Sequence, residues 1–446
     1  MRFKNICLKL LQSTVLIILL LTTSMQGCKN RKNSKSLNAP DRITTVVNSM
    51  TTIMIHDVTN PPLASRFFSY ACLAGYEVVT QNNPQLKSMR GILNKYPAIK
   101  KPAISNYSYP LASLFAMLET AKKMQPSGKL LDSLVQTLHS EGIEQGLSEE
   151  TIAGSQQYGQ AVAKAILTYA KEDGYRKISD LPRYSPVAGD AYWYPTPPAF
   201  MQAVEPQFKT VRTFYLDSCS QFKPDPPVTF SDTKGSAFYN LMEAVYKEGK
   251  TLPEEHRQIA SFWDCNPFAV QDNGHLQIGL KKISPGAHWL GIAGIACKKA
   301  NFSFDSTMQV YASLSTTLMD AFICCWDEKF RSNRIRPETV IRKYIDQDWQ
   351  PLLQTPPFPE YLSGHSVVST ASAEVLTHYF GDRFSFRDTT ELAFGLPSRD
   401  FPSFREAAAE AAVSRFYGGI HYMDAIVNGQ KAGEKVGQFV LKKLFL

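Results

Sequence analysis

Near its C-terminus the chain reads PPFPEYLSGHSVVSTASAEVLTHYF over residues 356–380. After His365, apolar side chains recur at the spacing of a helix that is buried on one face, and Gly381 closes the run. Ser363 precedes this run, and serine is a favoured helix N-cap because its oxygen accepts a bond from a free backbone N–H. The N–H groups at a helix start also attract anions. The segment therefore predicts a helix whose first turn presents a hydroxyl, an unhindered amide at Gly364 and an imidazole.

Helical periodicity extends over most of the remaining chain, whereas alternating, strand-like runs are scarce. Proline-rich breaks separate the helical runs without a fall in apolar content, which is typical of loops inside a domain. A chain of 446 residues can bury a large core. We therefore predict an all-α protein in which residues 41–446 form a single domain of bundled helices.

The composition is that of a globular protein, with 44% hydrophobic and 20% charged residues. The formal net charge of +8 is small for this length and favours an anionic ligand only weakly. The sequence has no basic run with interleaved aromatic residues, so it does not predict nucleic-acid binding.

The first residues are typical of a targeting segment. Three basic residues precede an apolar stretch over residues 10–21, and Gly27 stands directly before Cys28. This pattern resembles a bacterial lipoprotein signal. We predict a signal peptide over residues 1–28 with Cys28 as the lipidated residue, then a flexible tether over 29–40. The protein would be exported and anchored by its lipid to a membrane, facing the periplasm or the cell surface; ordinary secretion is the alternative.

Six further cysteines follow in the mature chain. Some of them could pair in an exported protein, but their spacing does not give a connectivity. No CxxC spacing indicates zinc, and buried small side chains are the default interpretation. The six are Cys72, Cys219, Cys265, Cys297, Cys324 and Cys325.

A basic cluster precedes the quoted segment. Seven positions, or two helical turns, separate Lys329 from Arg336, so we expect both cations on one face of a helix that ends at Pro337. Taken alone, this cluster is more typical of a solvated basic face.

Another cluster follows the quoted segment. Gly418 and Gly419 interrupt a helical run between Arg415 and His421, and we expect them to permit close approach of the backbone to a ligand. Taken alone, His421 would be a satisfied core histidine. Together with the helix start at Ser363, the clusters supply three cations, a hydroxyl, an amide and two imidazoles. This set suits a tetrahedral oxyanion, with the imidazoles as ligand or nucleophile and as acid/base.

The order K-x6-R-P, S-G-H and S-R-x5-H resembles the superfamily of vanadium-dependent haloperoxidases and type 2 phosphatidic acid phosphatases. Trp326 and Phe358, which precede the first two motifs, are similar to pocket aromatics of the haloperoxidase branch. The upstream segments 193–198 and 262–267 resemble bacterial secreted haloperoxidase-like proteins. One departure is Leu362, where the family usually has proline.

The resemblance implies a haloperoxidase-like fold with a four-helix-bundle core and additional N-terminal helices. It also implies a vanadate cofactor, with His421 bonded to vanadium, His365 as the acid/base and Lys329 polarising the bound hydrogen peroxide. Trp326 and Phe358 would line the halide side of the pocket. The groups that would hold the oxygens of vanadate, or of phosphate in the same site, belong to Lys329, Arg336, Ser363, Gly364 and Arg415.

The implied activity is oxidation of a halide, iodide or bromide, by hydrogen peroxide to hypohalous acid. The alternative is a vanadate-inhibited acid phosphatase, in which His421 attacks a phosphomonoester to give a phosphohistidine and His365 protonates the leaving oxygen. Trp326 and Phe358 favour the haloperoxidase. A third alternative is a non-catalytic oxyanion-binding lipoprotein. Acidic residues that could orient an active-site arginine or lysine are Asp264, Asp320 and Asp327.

Overall fold

The computed structural model describes residues 36–197, 200–273, 276–279 and 282–446. The predicted signal peptide and the first part of the predicted tether, residues 29–35, lie outside these ranges. Leu37, near the end of the predicted tether, is buried, and its amide N–H donates to Gln145 Oε1 at 3.0 Å.

Thirteen α-helices lie in the described ranges, with only two small two-stranded sheets, which confirms the predicted all-α class. The helices are α1 Asp41–His56, α2 Pro61–Thr80, α3 Tyr109–Met124, α4 Asp132–Glu144, α5 Glu149–Lys171, α6 Ala237–Thr251, α7 Glu254–Phe262, α8 Pro285–Lys299, α9 Phe304–Ser332, α10 Pro337–Tyr344, α11 Gly364–Phe380, α12 Phe404–Tyr417 and α13 Met423–Phe445. The antiparallel sheets pair β1 Val270–Asn273 with β2 Leu276–Gly279, and β3 Phe386–Asp388 with β4 Arg399–Phe401. None of the helices in the described ranges is long and apolar enough to cross a membrane.

Helix α9 is the centre of the fold. It packs against α2, which forms an N-terminal bundle with α3 and α5, and against α11 and α13, which form a C-terminal bundle with α12. Every residue from Val310 to Lys329 is buried, as expected for a helix that contacts neighbours on all sides. The main hydrophobic core is continuous through both bundles. The predicted helical bundle with additional N-terminal helices is therefore confirmed.

Helix α11 begins and ends where its sequence predicts. Ser363 is the N-cap, and its Oγ accepts from the Ser366 N–H at 3.3 Å. Gly381 is the C-cap, with a φ of 92° that favours glycine. Helix α13 lies so close to α11 that a Cβ on Gly433 would overlap the Val367 carbonyl oxygen. This contact fixes the position of the α11 N-terminus relative to α13.

The prediction that Lys329 and Arg336 share one helix is wrong. Helix α9 ends at Ser332, because Asn333 adopts a left-handed conformation with φ 50° and ψ 31°, which asparagine tolerates. Arg336 is extended, and Pro337 is the first residue of α10, where its missing N–H has no consequence. The two cations therefore reach the same region from different elements.

The expectation for Gly418 and Gly419 is also corrected. Gly418 ends α12, and a Cβ on it would lie 2.6 Å from the Leu353 side chain. Gly419 has a φ of +76°, and its Cβ would lie 3.1 Å from Pro351. The close approach that these glycines permit is to the loop before α11, and neither glycine lines the cavity described next.

Candidate active site

A small cavity of about 40 Å³ lies where the two bundles meet. Its walls come from the starts of α2 and α8, the loop after α7, the middle of α9 and the start of α11. A single water needs roughly 10–15 Å³ on this measure, so the cavity has room for a small polyatomic ion. Six of the nine predicted site residues line it: Trp326, Phe358, Gly364, His365, Arg415 and His421.

The other three predicted residues do not line the cavity, but each adjoins a residue that does. Lys329 Nζ lies 5.0 Å from the centre of the Phe358 ring. Arg336 Nη1 lies 3.1 Å from His421 Nε2. Ser363 caps the helix whose first residue is Gly364. The structure therefore brings all nine residues into one region.

Lys329 is held by backbone carbonyls. Its Nζ donates to the carbonyl oxygens of Pro359 at 3.0 Å, Glu360 at 3.1 Å and Leu362 at 2.5 Å. Carbonyl dipoles orient the ammonium without neutralising it. Burial lowers the pKa of Lys329 to about 7, against a usual value of 10.5. An anion bound nearby would stabilise the charged form.

Arg336 is fixed in the same way. Its Nε donates to the Phe358 carbonyl at 2.9 Å and its Nη1 to the Ile420 carbonyl at 2.8 Å. Burial lowers the pKa of Arg336 to about 9. The guanidinium therefore remains a cation at neutral pH, although no carboxylate bonds to it directly.

Arg415 has spare hydrogen-bonding capacity. Its Nη1 donates to the Trp263 carbonyl at 2.7 Å, while its buried Nε has no hydrogen-bond partner among the described residues. Asp264 Oδ1 lies 3.9 Å from Nη2, and Asp264 also pairs with Lys282. Burial lowers the pKa of Arg415. A free, buried N–H on a cation suits an oxyanion acceptor.

Glu360, which sequence reasoning missed, orients His421. Its Oε1 accepts from His421 Nδ1 at 2.8 Å and from the Tyr422 N–H at 3.0 Å. A guanidinium can only donate, so the contact with Arg336 makes Nε2 the acceptor and assigns the proton to Nδ1. Burial and the neighbouring Arg336 hold the pKa of His421 well below its usual value. His421 is therefore neutral, and its Nε2 lone pair accepts from Arg336 Nη1 at 3.1 Å.

Arg334 holds Glu360 in turn. Its Nε donates to Glu360 Oε2 at 2.6 Å, and its two terminal nitrogens donate to Asp424 at 2.6 and 2.8 Å. Glu360 is completely buried and Arg334 nearly so. A sequence signal for Glu360 existed: it is the one charged residue in the proline-rich run before Ser363.

His365 presents an unpaired nitrogen. Its Nε2 is buried without a hydrogen-bond partner in the described part of the chain. Burial, together with the charge of Arg415, holds the pKa of His365 well below its usual value, while a bond to the Trp263 backbone acts in the opposite direction. His365 is therefore a neutral imidazole at the cavity.

Trp326 and Phe358 form an apolar wall. Their ring centres lie 5.0 Å apart at 53°, and Trp326 Nε1 donates to the Val204 carbonyl at 3.1 Å. Of the three acidic candidates, Asp264 is the one within 4 Å of a predicted site cation among the described residues, at 3.9 Å from Arg415 Nη2. Asp320 instead accepts backbone N–H groups of residues 214–216, and Asp327 pairs with Arg331.

Cysteine pairing, which the sequence left open, is absent from the described residues, where all six cysteines are free thiols. Five of them are buried, in line with the default interpretation.

The arrangement defines an oxyanion-binding enzyme site: three buried cations surround a cavity that is flanked by two neutral imidazoles. Among the described residues, only Arg415 of these cations lies within 4 Å of a carboxylate. Comparisons with known proteins agree. Residues 309–445 match the family described as the VCPO second helical-bundle domain. The crystal structure of the first bacterial vanadium-dependent iodoperoxidase is 45% identical with a TM-score of 0.86, over 91% of this chain and 97% of that chain.

A holo-type bacterial vanadium-dependent chloroperoxidase is 15% identical with a TM-score of 0.67, over 92% of this chain and 98% of that one, and shows the shared fold. No curated protein matches the chain. At 45% identity over nearly the whole of both chains, this protein belongs to the vanadium-dependent haloperoxidases. The predicted family, peroxidase class and vanadate cofactor are thus confirmed.

Proposed function

We propose that this protein oxidises iodide with hydrogen peroxide to hypoiodous acid, with bromide as the second halide. The observation that carries the proposal is the cavity, where the unpaired His365 Nε2 and Arg415 Nε lie beside His421 and an aromatic wall. The 45% identical protein is itself described as an iodoperoxidase.

The residues present fit vanadate. His421 would bind vanadium through Nε2, and neutrality of this imidazole is what a metal ligand requires. The oxygens would be held by the side chains and the amide of Lys329, Arg336, Ser363, Gly364 and Arg415. When bound, vanadate supplies a Lewis acid that activates hydrogen peroxide towards a halide.

The protein groups have separate tasks in this reaction. Hydrogen peroxide must lose a proton when it binds, and His365 Nε2 is a free acceptor for it. Lys329 supplies a fixed positive charge that its carbonyl partners orient before reaction. Glu360 keeps the His421 proton on Nδ1 and so keeps Nε2 unprotonated.

The test is a side-by-side assay of the protein without residues 1–28, with and without orthovanadate. We expect vanadate-dependent triiodide formation from iodide and hydrogen peroxide, and little hydrolysis of p-nitrophenyl phosphate. Brisk hydrolysis that vanadate inhibits, with no iodide oxidation, would establish the phosphatase alternative. Neither activity in a protein that still binds vanadate would indicate the non-catalytic alternative.

We also propose that the protein is exported and attached to a membrane through a lipid on Cys28, facing the periplasm or the cell surface. The support is the order of basic residues, apolar stretch and Gly27-Cys28. The full-length protein is expected in the membrane fraction and Cys28→Ala in another fraction. Equal membrane association of both proteins would contradict lipidation.

A further inference from the structure

A second group of buried polar side chains lies next to the cavity. Cys265, His288 and Glu391 each offer one potential ligand atom, and these atoms lie within 4.8 Å of one another. It is the one such group among the residues that the structure describes. The three side chains come from the loop after α7, from α8 and from the segment after β3. The fold thus gathers a thiol, an imidazole and a carboxyl group out of contact with bulk water.

The spacing within this group is compatible with a bound ion. His288 Nδ1 lies 3.4 Å from Cys265 Sγ and 3.4 Å from Glu391 Oε1. A charge-assisted N–H···O bond is normally about 2.7–2.9 Å, so the contact with Glu391 is too long for one. Ligands bound at about 2.0–2.3 Å around a tetrahedral ion lie roughly 3.3–3.6 Å apart. His288 Nδ1 lies at such a distance from both Cys265 Sγ and Glu391 Oε1.

A fourth residue holds the imidazole from behind. Asp388 Oδ2 lies 2.8 Å from His288 Nε2, and both side chains are completely buried. A carboxylate that accepts from the remote nitrogen of a histidine is the usual outer partner of a metal-bound imidazole. The bond assigns a proton to Nε2 and leaves Nδ1 as the ligand atom.

We propose that Cys265, His288 and Glu391 bind a zinc ion, with Asp388 as the outer carboxylate of His288. A mixed set of thiolate, imidazole and carboxylate is suited to zinc, which is borderline soft and accepts all three. The fourth position of the tetrahedron would take water. Binding converts the thiol of Cys265 to a thiolate and releases its proton to solvent, while His288 Nδ1 supplies a lone pair.

The position of this group indicates what a bound ion would stabilise. Cys265 lines the cavity beside His365, and the carbonyl of Trp263, two residues earlier, accepts from Arg415. The Trp263 ring also stacks on His288 at 4.5 Å. Zinc would thus fix the segment that orients Arg415, as a positioning ion that takes no part in halide oxidation.

The test measures zinc in the mature protein after dialysis against zinc, with excess orthovanadate present so that the oxyanion site is filled. We expect about one zinc per chain, as for a buried site with a thiolate ligand. Cys265→Ser and Glu391→Gln should lose most of it. Cys297→Ser is the matched control, because Cys297 is a buried free thiol on α8 outside the group.

Cobalt substitution keeps the proposal falsifiable if the variants do not fold. Wild-type protein loaded with Co²⁺ should show thiolate-to-cobalt charge transfer and the strong visible absorption of tetrahedral cobalt. A wild-type protein that retains no zinc would overturn the proposal, as would cobalt bound without a thiolate band. Equal zinc content in Cys265→Ser and Cys297→Ser would also overturn the proposal. Cys265, His288 and Glu391 would then form a hydrogen-bonded cluster without a metal.

Discussion

Two buried polar groups of different composition lie side by side in this protein. Around the cavity, Lys329 and Arg336 are held by backbone carbonyls and lack direct carboxylate partners. Beside it, His288 is surrounded by Asp388, Glu391 and a thiol. The first group has an excess of cations and suits an anion, whereas the second has an excess of acidic groups and suits a cation.

One segment joins the two groups. Trp263 stacks on His288 with its ring and accepts from Arg415 with its carbonyl, and Cys265 belongs to both sets of walls. Changes in the group around the cavity should therefore abolish vanadate binding or halide oxidation. Changes in the group around His288 should only weaken them. Variants of each group test this ranking.

The largest effect is expected from His421→Ala. It removes the vanadium ligand and leaves Glu360 without its imidazole partner. Vanadate affinity should fall by more than about a hundredfold, since even outer partners of a metal ligand contribute that much. Equilibrium dialysis with ⁵¹V NMR measures it, and unchanged affinity would refute the assignment of the ligand.

His365→Ala should separate binding from turnover. The alanine variant keeps the cations and His421, so vanadate should bind with little change. Loss of the proton acceptor should lower kcat for iodide oxidation by about 10²- to 10⁴-fold. If vanadate affinity and kcat fell together, His365 would be a ligand-binding residue and not the acid/base.

Glu360→Gln should have an intermediate effect. The amide oxygen can still accept from His421 Nδ1, but Arg334 loses a charged partner. We expect vanadate affinity to fall by about 10- to 100-fold. Asp424→Asn is the control, because Asp424 pairs with Arg334 without touching His421. An equal loss in both variants would show that Glu360 acts only by supporting the fold.

The pH dependence of vanadate binding should report Lys329. Its pKa of about 7 means that the protein without vanadate loses this proton as the pH rises through 7. Vanadate favours the charged form, so binding above pH 7 must take up a proton. Affinity should then fall by at most about tenfold per pH unit, while below pH 7 Lys329 contributes no slope.

Lys329→Arg provides the comparison for this measurement, because arginine stays charged over the same range. The titration of vanadate itself is common to both proteins. Equal slopes in the two proteins above pH 7 would mean that vanadate binding does not change the protonation of Lys329.

The smallest effect is expected from removal of zinc. A chelator-treated protein should keep its helices, and its vanadate affinity should fall by only about two- to tenfold as Arg415 loses its fixed partner. Adding zinc back should restore the affinity. A loss as large as that of His421→Ala would show that the two groups are one site.

The sequence was sufficient to predict structure where the signals lie close together in the chain. The cap at Ser363, the periodicity after it and the closing Gly381 lie within twenty residues, and the structure places all three as predicted. The convergence of the motif residues on one region was predicted only because the family resemblance identified those residues. The single helix expected for Lys329 and Arg336 failed because Asn333 ends the helix by its own conformation, which periodicity does not report.

Tertiary contacts could not be predicted in the same way. Cys265, His288 and Glu391 are separated by long stretches of chain, and only the packing of α8 against the β3 segment brings them together. Glu360 was visible as a charge in an apolar run, but its partners Arg334 and His421 come from other elements.

The tight contact of α13 with α11 affects how mutational data should be interpreted. Gly433 touches neither vanadate-holding residues nor the cavity, yet any side chain there would push Val367 and the start of α11 away. A scan scored by activity alone would rank this glycine with His365. Distinguishing a Gly433 variant from a His365 variant requires a measurement of folding beside each measurement of rate. A helix displaced by one methyl group and a missing proton acceptor both give an inactive protein.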